Sequence, residues 1–380
     1  MKVVIAIDSF KGSLSTFESG DAVSNGIKNV FPSAETVVCP LADGGEGTVA
    51  AIVSALEGRL VSVPVMGPLG NVIMAEYGIL PEKRTAVIEM SAAAGITLIE
   101  KGRRDPLKTT TYGVGELISH AIKVEGCREF IIGIGGSATN DGGVGMLMAL
   151  GYEFLDINGD HISFGAKGLE ALSAIKTENA LGELRDCHFH IACDVNNPLC
   201  GENGASAVYG PQKGATPQNV KDMDAWLSHY AHLTGRTLGN EYSAYPGAGA
   251  AGGLGFAFLS YLGGELTSGI ELVMSATGLE EHIKDADIVV TGEGRLDGQS
   301  CMGKAPVGVA RLAKKYGKRV IAFAGCVTDD AVECNAHGID AFFPILRAPC
   351  SLEDAMDIEN ARENLTRTAV QTFSLIKSYI

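Results

Sequence analysis

Four short segments of this chain set glycine beside side chains that can do chemistry. They are Asp8-Ser9-Phe10-Lys11-Gly12-Ser13, Asp43-Gly44-Gly45-Glu46-Gly47-Thr48, Gly135-Gly136-Ser137-Ala138-Thr139-Asn140-Asp141-Gly142-Gly143 and Gly292-Glu293-Gly294-Arg295-Leu296-Asp297. Each follows a short apolar run that reads as a buried strand. Glycine lets a backbone approach a ligand closely, and consecutive free N–H groups cradle an anion, which suits phosphate. Carboxylates beside such loops suit a hard cation such as Mg2+. The chemistry these residue types support is that of a nucleotide, magnesium and a small acceptor.

Each segment also has a plainer explanation. Asp8 stands just past the first strand with Lys11 three residues on, placed for an anion, but Asp8 or Ser9 would equally cap a following helix. The Asp43 to Thr48 loop has more glycine than a turn needs. Its Gly44 and Gly45 amides are phosphate candidates, Asp43 is a metal or substrate candidate, and Glu46 fits a first helical turn. Gly133 to Ala138 matches the G-x-G-x-x-A dinucleotide fingerprint, with Asp156 near the place of a ribose-binding acid. Thr139-Asn140-Asp141-Gly142-Gly143 then stands where an apolar helical turn is required, so a long phosphate or acceptor loop ending in Asp141 fits better. Its candidates are Gly135, Gly136, Ser137 and Thr139.

Asp194-Val195-Asn196-Asn197-Pro198 offers an acid and two amides to orient a hydroxyl, or forms an Asx-type turn. Gly298 to Lys304 has the G-x-x-x-x-G-K frame of a P-loop without the closing Ser or Thr, although Lys304 before Ala305-Pro306 could receive an anion. His188 and His190 share one strand face with no third ligand nearby, and no G-x-S-x-G elbow is present.

The elements that must hold these segments follow from pattern. Apolar runs at residues 3–7, 36–40, 130–134, 288–291, 320–324 and 341–345 read as strands buried on both faces, and helical periods at 17–30, 47–56, 113–124, 307–316 and 329–337 lie among them. This alternation predicts an α/β fold: a doubly wound, mostly parallel, Rossmann-like sheet domain. Residues 59–90 read as an antiparallel meander, residues 151–245 are irregular, and Ala248 to Gly264 reads as a buried glycine-rich helix. We therefore expect a discontinuous Rossmann-like domain over 1–58, 108–150 and 246–380, and a smaller mixed α/β domain over 59–107 and 151–245, with a ligand cleft between them.

At 380 residues and 46% hydrophobic content the chain has material for two cores. A formal net charge of −15 argues against nucleic acid or an anionic membrane surface as partner. Nine cysteines without C-x-x-C spacing suggest a reducing cytoplasm, and the run 3–7 is too short for a signal-peptide core. A homo-oligomer is left open.

In order along the chain, DSFKGS, PLADGGEGT, GIGGSATNDGG, CDVNNPLCG, GAGAAGG and TGEGRLDGQSCMGKAP resemble the glycerate kinase family, in its bacterial type I group that includes glycerate 2-kinases. The resemblance spans nearly the whole chain. It implies a two-domain fold, ATP as phosphoryl donor and D-glycerate as acceptor, with 2-phospho-D-glycerate the product favoured over 3-phosphoglycerate. On this reading Lys11 and the amides from Gly135 to Thr139 meet phosphate oxygens, and Asp43, Asp141 or Glu293 holds Mg2+. Arg295 grips the substrate carboxylate, Asn197 and Lys304 assist in substrate binding, and Asp194 or Asp8 accepts the proton of the attacking hydroxyl. The rivals are an NAD-dependent dehydrogenase using the Gly133 fingerprint and a nucleotide-binding protein without catalysis.

Overall fold

The computed structural model of the chain describes residues 1–42, 47–80, 84–302 and 304–379. Its strands, in chain order, are β1 (Lys2–Ile7), β2 (Glu35–Val38), β3 (Arg59–Met66), β4 (Val72–Leu80), β5 (Thr85–Glu89), β6 (Glu129–Gly133), β7 (Glu153–Leu155), β8 (Ala174–Lys176), β9 (His188–Ala192), β10 (Glu265–Thr267), β11 (Ile288–Leu296), β12 (Arg319–Val327) and β13 (Ala341–Pro344). The chain divides into two compact units: Met1–Asp43 with Ile270–Ile380, and Gly44–Gly269 inserted between those segments.

The discontinuous unit is built on a sheet ordered β13-β12-β11-β1-β2 in which every neighbouring pair is parallel. Successive side chains point to opposite faces of a strand. Val4 and Ala6 therefore join Val289, Val320 and Ala322 in one core, while Val3, Ile5 and Ile7 join Val290, Ile321 and Phe323 in another. The helix Ala305–Lys315 covers the first face, and the helices Thr16–Val30 and Ile358–Lys377 cover the second. Burial on both faces is why these strands read as unbroken apolar runs. The doubly wound parallel sheet is as expected.

Thr16–Val30 begins at Ser15, whose hydroxyl accepts from the Glu18 amide while the Glu18 carboxylate accepts from the Ser15 amide. This reciprocal cap leaves Asp8 out of the helix start.

The inserted unit holds a mixed sheet ordered β10-β9-β6-β5-β4-β3. Strands β10, β9, β6 and β5 run parallel, and β5, β4 and β3 form the expected antiparallel meander. The expected partition is corrected in one respect: residues 44–58, 108–150 and 246–269 belong to the inserted unit, which is the longer of the two. The reason is pairing. Phe130 and Ile132 of β6 lie opposite Ala86 and Ile88 on one side and Phe189 and Ile191 on the other. An apolar run shows that a strand is buried, not which strand lies beside it.

Two helical stretches also differ from expectation. Pro217–Leu238 is a 22-residue helix within the stretch that reads as irregular, capped by Thr216 and closed by Gly239 in the left-handed region. Ala250–Leu262 is interrupted at Ala251, Gly252 and Gly253, all with positive φ. There the Gly252 carbonyl accepts from the Gly142 amide at 2.9 Å, and a Cβ on Gly252 would stand 2.1 Å from the Thr139 carbonyl oxygen. Among the described residues no helix is long and apolar enough to cross a membrane.

Gly143 tests this packing. Its φ is 76°, and an added Cβ would sit 2.5 Å from the Ala257 Cβ. Gly143→Ala is expected to destabilise the inserted unit by about 2–4 kcal/mol through backbone strain and overpacking, read as a lower midpoint of its urea transition with an unchanged slope.

Candidate active site

In the discontinuous unit the chain goes from β1 to β2 on one side, and the later strands β11, β12 and β13 fill the other. The C-terminal edge between β1 and β11 is therefore a topological switch point, where open parallel sheets leave a crevice for ligands. Ile7 pairs with Gly292, and the Asp8 amide donates to the Gly292 carbonyl at 3.0 Å. Asp8 and Glu293 thus lie at neighbouring positions of this edge.

A cavity of about 390 Å³ opens here. Three acids line it, Asp8, Glu293 and Asp297, together with three cations, Lys11, Arg295 and Lys304. Phe10, Ile345, Leu352 and Met356 give it an apolar wall. The fold thereby brings together five of the residues singled out by sequence and adds Asp297, which stood in a quoted segment without a role.

The cavity is electrostatically tense. Ser300 Oγ donates to Glu293 Oε1 at 2.5 Å. Burial pushes the Glu293 carboxyl up to about 7; the Ser300 hydrogen bond and Lys304 pull it back, and the charges of Asp8 and Asp297 add to the rise. Such a carboxyl takes or releases a proton near neutrality, or ionises when a cation arrives. Arg295 Nε lies 3.3 Å from Asp297 Oδ2 on a largely exposed side chain, and Asp297 Oδ1 accepts from the Gln299 amide at 2.9 Å. Lys304 precedes the helix Ala305–Lys315, with Pro306 in its first turn.

In the inserted unit the parallel strands β5, β6, β9 and β10 end together at Glu89, Gly133, Ala192 and Thr267. The loop after β6 carries Gly135 and Gly136, both exposed, with Gly136 at φ 72°. Among the described residues no group accepts a hydrogen bond from either of their amides. Ser137 and Thr139 are buried instead: Ser137 Oγ accepts from Lys213 Nζ, and Thr139 Oγ1 lies buried without a hydrogen-bond partner among the described residues.

Asp141 does not fit the metal role. It is 1% exposed, and its carboxylate accepts from the Thr111 amide and hydroxyl at 2.9 Å each, from the Gly143 amide at 3.2 Å and from the Gly145 amide at 3.3 Å. Burial raises its pKa against those four bonds. Its acceptor capacity is spent on clasping the residue 109–111 segment to the start of the helix Val144–Ala149. Asn197 is committed likewise, its Nδ2 donating to the Asn203 carbonyl at 2.8 Å and its Oδ1 accepting from the Tyr209 hydroxyl at 2.6 Å, so it braces its own loop. Asp194 is exposed, and its Oδ1 accepts from the Gly269 amide just after β10 at 3.0 Å. Asp43, Gly44 and Gly45 lie outside the described residues.

The dinucleotide fingerprint fails on geometry. The helix that should open directly after it starts only at Val144, and Asp156 is a half-buried residue at a turn, accepting from the Asn158 and Asp160 amides. Sequence reasoning passed over one residue of this unit entirely. Lys213 is buried beneath the glycine loop, and nothing in Gly210-Pro211-Gln212-Lys213-Gly214 marks it apart from a surface lysine.

The chain is similar to known proteins over nearly its whole length. A sequence model described as the glycerate kinase family matches residues 3–377. The chain is 49% identical over 369 residues to a glycerate kinase of Haemophilus influenzae, covering 97% of each. It is also 49% identical to a glycerate 2-kinase of Escherichia coli K12, covering 97% of this chain and 96% of that one. A glycerate kinase of Bacillus subtilis is 47% identical, covering 99% and 98%. A crystal structure of a protein from Salmonella typhimurium LT2, assigned as a glycerate kinase 2, superposes with a TM-score of 0.92 at 49% identity and covers 100% of this chain and 98% of that one. Matched along nearly its whole length in both sequence and fold, the chain belongs to the glycerate kinase family.

Proposed function

We propose that this protein transfers the terminal phosphoryl group of ATP to the carbon 2 hydroxyl of D-glycerate. The observation that carries the proposal is the cavity at the β1–β11 switch point, where three acids face three cations. Phosphoryl transfer consists chiefly of positioning and charge neutralisation, and a balanced set of this kind is suited to both. Regiochemistry follows the Escherichia coli relative, whose name specifies carbon 2. The absence of a membrane-crossing helix among the described residues and the scattered free thiols accord with a cytoplasmic enzyme.

The roles divide by chemistry. Arg295 takes the substrate carboxylate with its planar fork. Lys11 and the amides of Gly135 and Gly136 take phosphate oxygens, and Lys304 adds positive charge at the same cavity as Lys11. Asp8 or Asp194 accepts the proton of the attacking hydroxyl. Glycerate is too small and polar to fill the apolar wall of Phe10, Ile345, Leu352 and Met356, which leaves room for part of the nucleotide.

Mg2+ fits the donor set. Among the described residues no group of three or more His, Cys, Asp or Glu side chains forms a metal cage, but this cation is commonly held by one or two carboxylates together with substrate phosphates. Glu293 and Asp297 are carboxylates of that kind, and Asp43 retains its place as a candidate. When bound, the cation would neutralise charge on the phosphate oxygens.

Incubation with ATP, Mg2+ and D-glycerate is expected to yield a phosphomonoester whose phosphorus resonance is a doublet, from the single proton on carbon 2; a triplet would place the phosphate on carbon 3, and no ester at all would sink the proposal. Arg295→Ala is expected to raise KM for glycerate about 10- to 100-fold while KM for ATP stays near the wild-type value, as for loss of a charged hydrogen bond. Glu293, with its pKa raised to about 7, should give an activity limb that rises with pH through that value and moves to lower pH as Mg2+ is increased. Glu293→Gln should abolish the limb. Because the folded carboxyl holds its proton above its ordinary range, ionising it costs stability as pH rises from about 4.5 to about 7. The same variant should therefore lose less thermal stability than the wild type between pH 5 and pH 8.

A further inference from the structure

A lysine ammonium is costly to bury unless hydrogen bonds and an opposite charge compensate it. Lys213 is 2% exposed and stands on the short turn Pro211–Lys213, closed by Gly214 at φ 97°. A Cβ on Gly214 would lie 2.3 Å from the Arg104 carbonyl oxygen, so the turn is pressed hard against its neighbour. From there Nζ donates to Ser137 Oγ at 2.8 Å and to the Thr139 carbonyl at 2.6 Å.

Other carbonyls of the same loop are held by internal donors as well. The Gly136 carbonyl accepts from the Ile96 amide at 2.8 Å, and the Ala138 carbonyl accepts from Thr109 Oγ1 at 2.8 Å. A cradle for phosphate needs its amides facing the ligand and its carbonyls, which repel an anion, turned away. Along residues 135–141 only the Ala138 amide has an acceptor among the described residues, and of the amides left over those of Gly135 and Gly136 are the exposed ones.

We infer that Lys213 is a positioning residue of the phosphate loop: it draws the Thr139 carbonyl and the Ser137 hydroxyl inward and places a buried positive charge beneath the amides of Gly135 and Gly136. This rests on the kinase reading above and deepens it. Burial depresses the lysine to about 7, with the Asp141 carboxylate pulling the other way. The charge that acts on it is that of Asp141, on the loop after β6, while Arg104 holds the same turn through its guanidinium, which donates to the Gln212 carbonyl at 3.5 Å. A phosphate arriving at the loop favours the ammonium form, so binding should draw in a proton.

The experiment uses the full chain and three variants. Lys213→Met removes donor and charge, Lys213→Gln keeps a donor without charge, and Lys213→Arg keeps both. The Met variant is expected to raise KM for ATP and the Kd for ADP roughly 10- to 100-fold, with KM for glycerate within about twofold. Gln should fall between Met and wild type, and Arg should recover part of the loss. Calorimetric titration of wild type with ADP at pH 8, in buffers of different ionisation enthalpy, should show proton uptake that the Gln variant lacks. If Met does not fold, Gln carries the test. A folded Gln variant that binds ADP with wild-type affinity and proton uptake overturns the inference. ADP binding needs no acceptor, so an absence of glycerate turnover in the wild type would count against the kinase reading alone.

Discussion

The parallel pairing of β1 with β11 is the contact on which the candidate site depends. It joins the start of the chain to a strand near its far end, with Val3 opposite Ile288 and Ile7 opposite Gly292. A slip of one residue would turn Val3, Ile5 and Ile7 out of the core they share with Val290 and Phe323, so burial specifies the register. That register in turn sets Asp8 beside Glu293. Apolar packing on both faces of a sheet thus determines which two carboxyls meet at its edge.

The inserted unit obeys the same rule with a different result. Four parallel strands end in line. The loop after β6 owes its shape to buried polar groups that must find partners. Asp141 binds four donors, Lys213 holds Ser137 and Thr139, and Thr109 takes the Ala138 carbonyl. Glycine serves two ends along this one loop. Gly136 keeps the exposed backbone open to a ligand, whereas Gly142 and Gly143 lie against Tyr230 and Ala257 with no room for a side chain.

Charge shows a similar separation between the whole and the part. The protein carries a formal net charge of −15, which repels anions at long range. At the switch point Lys11, Arg295 and Lys304 offset that locally, lining one cavity together with Asp8, Glu293 and Asp297. Partial burial makes the consequence large for Glu293, whose proton affinity is raised toward neutrality. A bound cation would meet the acids of this set and an anionic substrate its cations.

Much of this was written in the chain itself. Strands buried on both faces leave apolar runs, helices leave their period, and acid-bearing glycine segments mark strand ends, so the doubly wound sheet, the meander and the residues Asp8, Lys11, Glu293, Arg295 and Lys304 were legible from local pattern. Other features were not. Nothing in Phe130 to Ile134 tells that its neighbours are β5 and β9, and nothing around Asp141 or Asn197 tells that their polar atoms are already engaged. Lys213 gave no signal at all, because its burial comes from the loop folded over it. Local pattern reports what each residue needs: an apolar neighbour, a donor, a left-handed turn. Which distant residue meets that need is decided by strand pairing and close packing, and here those placed three acids among three cations and a lysine beneath a glycine loop.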